Sequence, residues 1–256
     1  MLTICMGFFI HLKGFLKFLV DALRYNTKVS IFFSQLINEI YLIGYESISL
    51  MSLLSFSIGF ATALQLITML GGYFMPDYLI VAGLKNTMLL EFMPTILCFI
   101  FIGRNITSLA CQLFDMKRSG FYDNLKVIGV NTTSFACLPK IISCTISFPL
   151  LTTFTCILSV LGAYLYCFFF NIMTSASFLE SLVTVLNRGL ISFCFFKAVI
   201  FGFLCGSIGS YLGFCYYINS NKDIISVSQH CFTVLCVVLL VFDIILNLFK
   251  PLFIDL

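Results

Sequence analysis

The sequence predicts an all-α integral membrane protein, and three observations support this prediction. The chain is 61% hydrophobic and only 10% charged, whereas soluble domains are about 45 to 50% apolar and about 25% charged. Its mean hydropathy is +1.09, and several apolar stretches exceed the roughly 18 residues that indicate a membrane-spanning helix. Alternation of apolar and polar residues is nowhere sustained, which disfavours a membrane β-barrel. A soluble globular protein is thereby excluded.

The charged and cysteine residues indicate neither a nucleic-acid surface nor a metal site. The 14 Lys and Arg residues give a net charge of only +3 and are scattered through apolar sequence, so nucleic-acid binding is not expected. The 12 cysteines fall mostly inside apolar runs, there is no CxxC pair, and the chain has 2 histidines. Cysteines in such runs behave as small buried hydrophobes, and we expect no metal on this chain.

The first predicted element is an amphipathic helix over residues 8–24. Lys13, Lys17, Asp21 and Arg24 form one helical stripe against a broad Phe, Leu and Ile face, which is typical of a helix that lies in the membrane interface. We therefore predict an N-terminal interfacial segment over residues 1–29, followed by a membrane domain over 30–256.

Five membrane-spanning helices are predicted after this segment. Gly71, Gly72 and Pro76 end the first of them, because glycine and proline interrupt helices. The third is about 30 residues long, against the roughly 20 that are needed, so it is expected to tilt or to project from the bilayer. The polar stretch 112–140 is expected outside the membrane. The predicted spans are about 47–70, 86–111, 141–171, 186–217 and 229–249.

Basic residues near the span ends predict the orientation. They concentrate before the first span and around the 112–140 segment, and loops that carry Lys and Arg remain in the cytoplasm. The N-terminus and the 112–140 segment are therefore expected in the cytoplasm, where a segment with helical character offers a surface for a soluble partner.

Glu91 and Lys197 are the strongest candidates for a site inside the membrane. An ionisable residue at the centre of a span costs about 2.5 to 3.5 kcal/mol on insertion scales, so it usually faces a partner or a wet cavity. Glu91 is expected about 8 Å and Lys197 about 13 Å from the outer side. They either pair with each other as a structural ion pair or line a cavity for a polar head group. Asp243 is a weaker candidate because it is expected nearer an interface.

Four glycines in the fourth span predict a smooth helix face. They recur at intervals of 4, 3 and 4 residues, and small residues at this spacing let helix backbones approach closely. The partner helix is expected in the same chain, with the same span of a second copy as the alternative. The residues are Gly202, Gly206, Gly209 and Gly213. Sequence motifs of phosphate-binding loops, zinc peptidases and serine hydrolases are absent, so catalysis by this chain alone is not expected.

The order of residues over about 30–249 resembles the MlaE-type permeases, which are membrane subunits of ABC transporters that move lipids between the two membranes of bacteria. No single motif carries the resemblance, but the matches occur in order and at the family's spacing. They include Asn38-Glu39-Ile40, Ile43-Gly44, Ile58-Gly59, Leu89-Leu90-Glu91-Phe92, Gly103-Arg104, Met116-Lys117, Ile128-Gly129-Val130-Asn131, Pro139-Lys140, Phe196-Lys197-Ala198 and Phe242-Asp243.

The resemblance implies a homodimer in the bacterial inner membrane, with the N-terminus in the cytoplasm and five spans in each copy. It implies that Glu91 and Lys197 line a lipid cavity, and that the segment 112–131 is a coupling helix that docks on a cytoplasmic ABC ATPase. An MCE-domain protein would carry lipid onward on the outer side, and ATP would bind only to the partner. The coupling residues would be Gln112, Asp115, Met116, Lys117, Arg118, Asp123 and Leu125.

The coupling segment departs from the family pattern at four positions. The family usually has a Glu, a Gly two residues later and a Glu-Gln pair, where this chain has Gln112, Phe114 and Gly120-Phe121. The sequence predicts a lipid-transporting permease driven by a separate ATPase. The alternatives are an ion- or proton-coupled secondary transporter and a membrane scaffold that transports nothing.

Overall fold

The computed structural model describes residues 13–22, 29–70, 81–83, 93–185, 188–216 and 224–249. Throughout these ranges the backbone is helical apart from short turns, and they contain no strand. The prediction of an all-α protein is therefore confirmed.

Besides a helical turn at 81–83, the described chain contains ten α-helices and three π-helical segments. They are α1 (13–22), α2 (Val29–Ile40), a π segment (Tyr41–Tyr45), α3 (Glu46–Leu70), α4 (Met93–Phe101), a π segment (Ile102–Ile106), α5 (Thr107–Arg118), α6 (Phe121–Val127), α7 (Thr132–Phe169), α8 (Ser175–Val185), α9 (Arg188–Tyr211), a π segment (Leu212–Tyr216) and α10 (Ile224–Leu248).

Within the described ranges, five helical stretches are long and apolar enough to cross a membrane, in agreement with the five spans predicted. We call them spans one to five. They are Phe32–Met69, Met93–Arg118, Thr132–Phe169, Ile191–Phe214 and Ile224–Leu248.

The predicted limits of the first three spans were wrong on the side where polar residues interrupt the apolar runs. Span one begins before Glu39, span two continues past Gln112, and span three begins before Lys140. Lys140 donates hydrogen bonds to both Glu39 and Gln112, and none of the three residues ends its helix. Polar groups that satisfy each other within a bundle are tolerated where hydropathy alone predicts a helix end.

Span three is 38 residues long, which corresponds to about 57 Å at 1.5 Å per residue. The hydrocarbon core of a bilayer is only about 30 Å thick, so this helix must project from the bilayer or tilt strongly, as its sequence predicts. It is followed by α8, whose first turn is capped where the amide of Ser177 donates to the Thr174 hydroxyl at 3.3 Å. A side-chain cap of this kind favours a helix that begins directly after Thr174.

The chain divides into two compact units, each of which combines parts of several helices. The first unit contains Met1–Ile43, Phe101–Ser147 and Gly202–Leu239. Its described part includes α1, α5 and α6. Aromatic side chains hold α1 in place: the Phe18 ring centroid lies 5.6 Å from that of Tyr211 and 6.2 Å from that of Phe214.

The second unit contains Gly44–Ile100, Phe148–Phe201 and Leu240–Leu256. In its described part, α3 and α7 approach to backbone contact at two glycines. A Cβ atom on Gly59 would collide with the carbonyl oxygen of Ser159, and one on Gly162 would collide with that of Phe56. The sequence analysis missed this contact, although Ser55, Gly59 and Ala63 carry its signal, small residues spaced by four.

Candidate functional site

Lys197 is the centre of a buried polar cluster in the second unit. Its side chain is 0% exposed, and its Nζ atom lies 2.6 Å from Oδ1 of Asp243. It also donates a hydrogen bond to Oδ1 of Asn247 at 3.3 Å. Nζ lies 5.7 Å from the ring centroid of Phe201, within the range of a cation–π contact. The ammonium group is thus surrounded by a carboxylate, an amide and an aromatic face.

Asn247 connects the two charged groups of this cluster. Its Nδ2 atom donates to Oδ2 of Asp243 at 3.3 Å, while its Oδ1 atom accepts from Lys197. Asp243 and Asn247 lie four residues apart on α10 and therefore share one face of that helix. A charge inside a span is tolerated when it is paired in this way, so the cluster can remain within the apolar spans.

The partner of Lys197 in this cluster is a residue that the sequence ranked lower. The sequence left open whether Lys197 pairs with Glu91 or lines a cavity with it, and the structure pairs Lys197 with Asp243. Glu91 lies outside the described residues. The spacing of Asp243 and Asn247 was the available signal in the sequence, because they occur one helical turn apart in the otherwise apolar stretch 234–248.

Two left-handed glycines delimit the short helix of the predicted coupling segment. Gly120 has φ of 74° and Gly129 has φ of 81°, a backbone region that glycine enters without steric cost. The carbonyl of Gly120 accepts from the amides of Asp123 at 3.1 Å and Asn124 at 3.3 Å, which starts α6. The 112–131 segment is consequently the end of α5, a tight turn and the seven-residue helix α6.

Tyr122 anchors α6 to the first unit. Its side chain is buried, and its hydroxyl donates to the carbonyl of Leu113 at 3.4 Å. The Tyr122 ring centroid lies 4.9 Å from that of Phe214. Burial raises the pKa of the Tyr122 phenol, with a smaller contribution from the nearby Cys137. The phenol therefore remains a neutral hydrogen-bond donor in ordinary buffers.

Most of the predicted coupling residues are exposed, and two of them bond to other helices of the chain. Asp115, Met116, Arg118 and Asp123 are exposed, and Leu125 is half-buried. Asp123 also forms an exposed ion pair with Lys126 at 3.4 Å.

The two residues that bond to other helices are the half-buried Lys117 and the exposed Gln112. The Nζ atom of Lys117 donates to the carbonyl of Phe214 at 2.7 Å and lies 5.0 Å from the centroid of its ring. Gln112 accepts a hydrogen bond from Lys140 at 3.1 Å. These two side chains contact the protein's own helices instead of only facing outward.

Besides Met116, three apolar residues of the same segment are exposed, and the sequence did not single them out. Phe121 is 43%, Val127 88% and Ile128 74% exposed. They lie outside the five spans, so hydrocarbon contact by those spans does not account for their exposure. Apolar side chains that share a patch with charged ones are typical of an interaction surface. The signal in the sequence was the apolar pair at the end of α6, directly before Gly129.

The glycine row of span four packs against helices of the same chain. A Cβ atom on Gly213 would lie 2.6 Å from the carbonyl oxygen of Ala110, and one on Gly209 would collide with the side chain of Ile106. On Gly206 it would lie 2.9 Å from Cβ of Cys144. Gly202 is buried. Span four thus lies close to spans two and three within the first unit.

Metal binding finds no support in the described ranges, where no three His, Cys, Asp or Glu side chains come together in a way that could hold an ion. The described features define a multi-pass helical membrane protein that has a buried ion pair within its spans and a structured connection between spans two and three. A family model described as Permease MlaE matches residues 36–249. The chain belongs to the MlaE permease family.

Several curated relatives are similar over most of their length. A probable ABC transporter permease protein of Rickettsia bellii is 25% identical over 203 residues, which cover 77% of this chain and 77% of the relative. A protein of the same description from Rickettsia prowazekii is 25% identical over 189 residues, with 73% of this chain and 72% of the relative covered. One from Rickettsia typhi is 24% identical over 202 residues, with 78% and 77% covered.

Proposed function

We propose that this chain is the permease subunit of an ABC transporter that moves phospholipid, or a related lipid, between the inner and outer membranes of a bacterium. The observation that carries the proposal is membership of the MlaE permease family over residues 36–249. The relatives described as probable ABC transporter permeases support it. The chain would lie in the inner membrane with its N-terminus in the cytoplasm, an orientation supported by the basic residues near α1 and the 112–131 segment.

ATP hydrolysis would take place on a separate cytoplasmic subunit, so this chain would not itself be an enzyme and would hold no cofactor. The proposed ATPase contact is the exposed surface of the 112–131 segment. Arg118 and Asp123 supply exposed charges there, and Phe121, Val127 and Ile128 supply exposed apolar area. This combination of an apolar centre with charged neighbours is typical of protein interfaces.

The proposed lipid site includes Lys197 and Glu91. Lys197 places a positive charge inside span four, and Asp243 balances it at 2.6 Å. A phosphate head group could replace Asp243 as the partner of the ammonium group, because both present anionic oxygens. The apolar side chains of the surrounding spans would accommodate the acyl chains.

We further propose a homodimer that works with an MCE-domain lipid-binding protein on the outer side. In spans one and five only 22% of the most apolar stretch is buried, against 50% in span three. Their uncovered faces are therefore available to lipid and to a second copy. The assembly would place two copies of the polar cluster in one transporter.

The experiment that tests the proposal is a gentle purification of the tagged full-length chain from its native membrane, with mass spectrometry of the proteins and lipids that accompany it. An ABC ATPase, an MCE-domain protein and bound phospholipid are expected. Reconstituted with labelled phospholipid in vesicles, the complex should move lipid only when ATP is hydrolysed. An intact, dimeric preparation that contains neither partner would contradict the proposal and favour the scaffold alternative.

A second candidate function is ion- or proton-coupled transport, which the ion pair of Lys197 with Asp243 favours. Paired ionisable residues within spans are typical of ion and proton pathways. The same vesicles distinguish the two functions. Transport that follows an imposed proton gradient and ignores ATP would support the second candidate, whereas dependence on ATP alone would exclude it.

A further inference from the structure

A second polar cluster lies in the first unit, where side chains from three helices meet at Lys140. We call Glu39, Gln112 and Lys140 the polar junction. The Nζ atom of Lys140 lies 2.6 Å from Oε1 of Glu39 and 3.1 Å from Oε1 of Gln112. The Lys140 side chain is only 5% exposed and that of Glu39 is 20% exposed. The junction therefore joins α2, α5 and α7 through one nearly buried ammonium group.

A buried ion pair constrains geometry more than it stabilises a fold. Its attraction is largely offset by the loss of hydration, and apolar residues of similar volume often serve stability equally well. The two hydrogen bonds of Lys140, however, form only when the three helices are in register, since a shift of a few ångströms breaks both bonds. The polar junction consequently favours one relative arrangement of α2, α5 and α7.

The location of the junction links it to the 112–131 segment. Gln112 is the first residue of that segment, and α5 continues directly to the Gly120 turn. Lys140 lies in the first third of α7, which begins directly after the segment. The exposed surface at residues 118–128 is therefore connected to Lys140 on both sides, through the bond to Gln112 on one side and along the start of α7 on the other.

A further contact ties span two to span one near the junction. Nδ2 of Asn105 donates to the carbonyl of Ile43 at 3.2 Å in a buried position. Asn105 and Ile43 both lie in π-helical segments, Ile102–Ile106 and Tyr41–Tyr45. Such segments frequently occur at functional positions in helices. Asn105 precedes Gln112 by about two helical turns, so the two side chains share one face of span two.

We infer that Lys140 is a positioning residue that transmits displacement of the 112–131 segment to span one, with Glu39 and Gln112 as its two acceptors. The inference rests on the proposed function, in which an ATPase moves that segment. Without the junction, the ATPase still docks and hydrolyses ATP, but the motion of α5 is no longer passed to α2. Lys140 thereby sets how much lipid is moved for each ATP hydrolysed.

The test compares Lys140→Met with two reference variants in the complete complex. Lys140→Met keeps the length of the side chain and removes the charge, whereas Lys140→Arg retains both hydrogen bonds. Lys17→Met is the matched control, because it removes a lysine from an exposed position of the same unit. The readout is the amount of labelled phospholipid transferred per ATP hydrolysed.

Lys140→Met should lower this ratio about tenfold, while the complex still assembles and hydrolyses ATP. Lys140→Arg should remain within about twofold of the original protein, and so should Lys17→Met. The double variant E39K/K140E restores an ion pair of opposite sense and should recover most of the lost transfer. A ratio in Lys140→Met equal to that of Lys17→Met would overturn the inference.

A second readout needs no ATPase and separates failure of the inference from failure of the proposed function. Hydrogen exchange of the full-length chain in nanodiscs should speed up about tenfold in Lys140→Met, in both α2 and 112–127, and remain unchanged in Lys17→Met. Unchanged exchange in α2 would refute the inference whatever the partners of the chain are. If Lys140→Met does not fold, Gln112→Ala is tested in its place, because it removes one acceptor and keeps the ion pair of Lys140 with Glu39. Hydrogen exchange should then become faster only in 112–127. Unchanged exchange in 112–127 would refute the inference.

Discussion

The Nζ atom of Lys197 lies 2.6 Å from Oδ1 of Asp243, in contact across spans four and five of the second unit. Asn247 bonds to both groups at 3.3 Å. The lysine is completely buried and Asp243 is 18% exposed in its side chain. Each charge is balanced by the other, so a variant that removes one of them leaves the other unpaired inside the spans.

Replacing only Lys197 should destabilise the protein more than replacing Lys197 and Asp243 together. Lys197→Met leaves the carboxylate of Asp243 without its cation, which is expected to destabilise the protein by about 1–3 kcal/mol. The double variant K197M/D243L removes both charges and should recover most of that loss. Thermal unfolding in detergent measures both effects, with Lys126→Met as the control because Lys126 lies in the exposed ion pair of α6. Additive losses in the double variant would contradict the pairing.

The double variant K197M/D243L also tests lipid binding, because it leaves no unpaired charge that would destabilise the protein. Phospholipid that accompanies the purified protein should fall about tenfold when Lys197 and Asp243 are both replaced, because no cation remains for the phosphate. Lipid mass spectrometry on equal amounts of folded protein measures the bound phospholipid. Unchanged phospholipid would remove Lys197 from the proposed site.

Arg118 and Lys117 should respond differently to charge reversal, although the sequence groups them together. Arg118 is exposed, so Arg118→Glu should reduce the accompanying ATPase about tenfold and leave the Tm unchanged. Lys117 instead bonds to the carbonyl of Phe214 at 2.7 Å, and Lys117→Glu should lower the Tm. Co-purification and thermal unfolding of both variants separate the two roles; equal loss of stability would argue against the inward contact.

The exposed apolar residues at the end of α6 should contribute to docking. Val127→Ser and Ile128→Ser together are expected to lower ATPase binding about tenfold, without loss of stability, since both side chains are largely exposed. Asn124→Ser is the control, because it changes an exposed polar residue of the same helix. Full retention of the ATPase in the double serine variant would place the contact elsewhere.

Gly59 should tolerate no larger residue, because its missing side chain lets α3 and α7 meet. Gly59→Ala places a Cβ atom against the backbone carbonyl of Ser159, and the resulting displacement should cost about 1–3 kcal/mol. Among the described residues, a Cβ atom on Gly83 would meet only side-chain atoms of Leu66, at 3.7 Å or more, so Gly83→Ala should be neutral. The Tm of the two alanine variants tests this, and equal values would contradict the backbone contact.

Much of the architecture could be predicted from the sequence because hydropathy acts locally along the chain. An apolar run long enough to cross the bilayer must form a helix, since lipid offers no partner to free backbone groups. The number of spans follows directly from this rule. The limits of the spans did not follow, because Glu39 and Lys140 interrupt the apolar pattern and yet bond to each other across 101 residues of sequence.

The polar cluster at Lys197 was predicted only in part, because its contacts also join residues that are far apart in the sequence. Lys197 was identified because a charge within an apolar run is conspicuous by itself. Its pairing with Asp243 and the turn of Lys117 toward Phe214 depend on which helix faces meet. Span four likewise has small residues that predict close packing, but the sequence left open whether the partner belonged to the same chain.

The sequence by itself thus determined that this protein is an all-α membrane protein with five spans, and which residues carry charge into them. The tertiary structure alone decided which charges pair, Lys197 with Asp243 and Lys140 with Glu39. The physical reason is that the two kinds of interaction depend on different distances along the chain. Burial of apolar surface depends on local composition, whereas an ion pair depends on distances of a few ångströms between residues far apart in the chain.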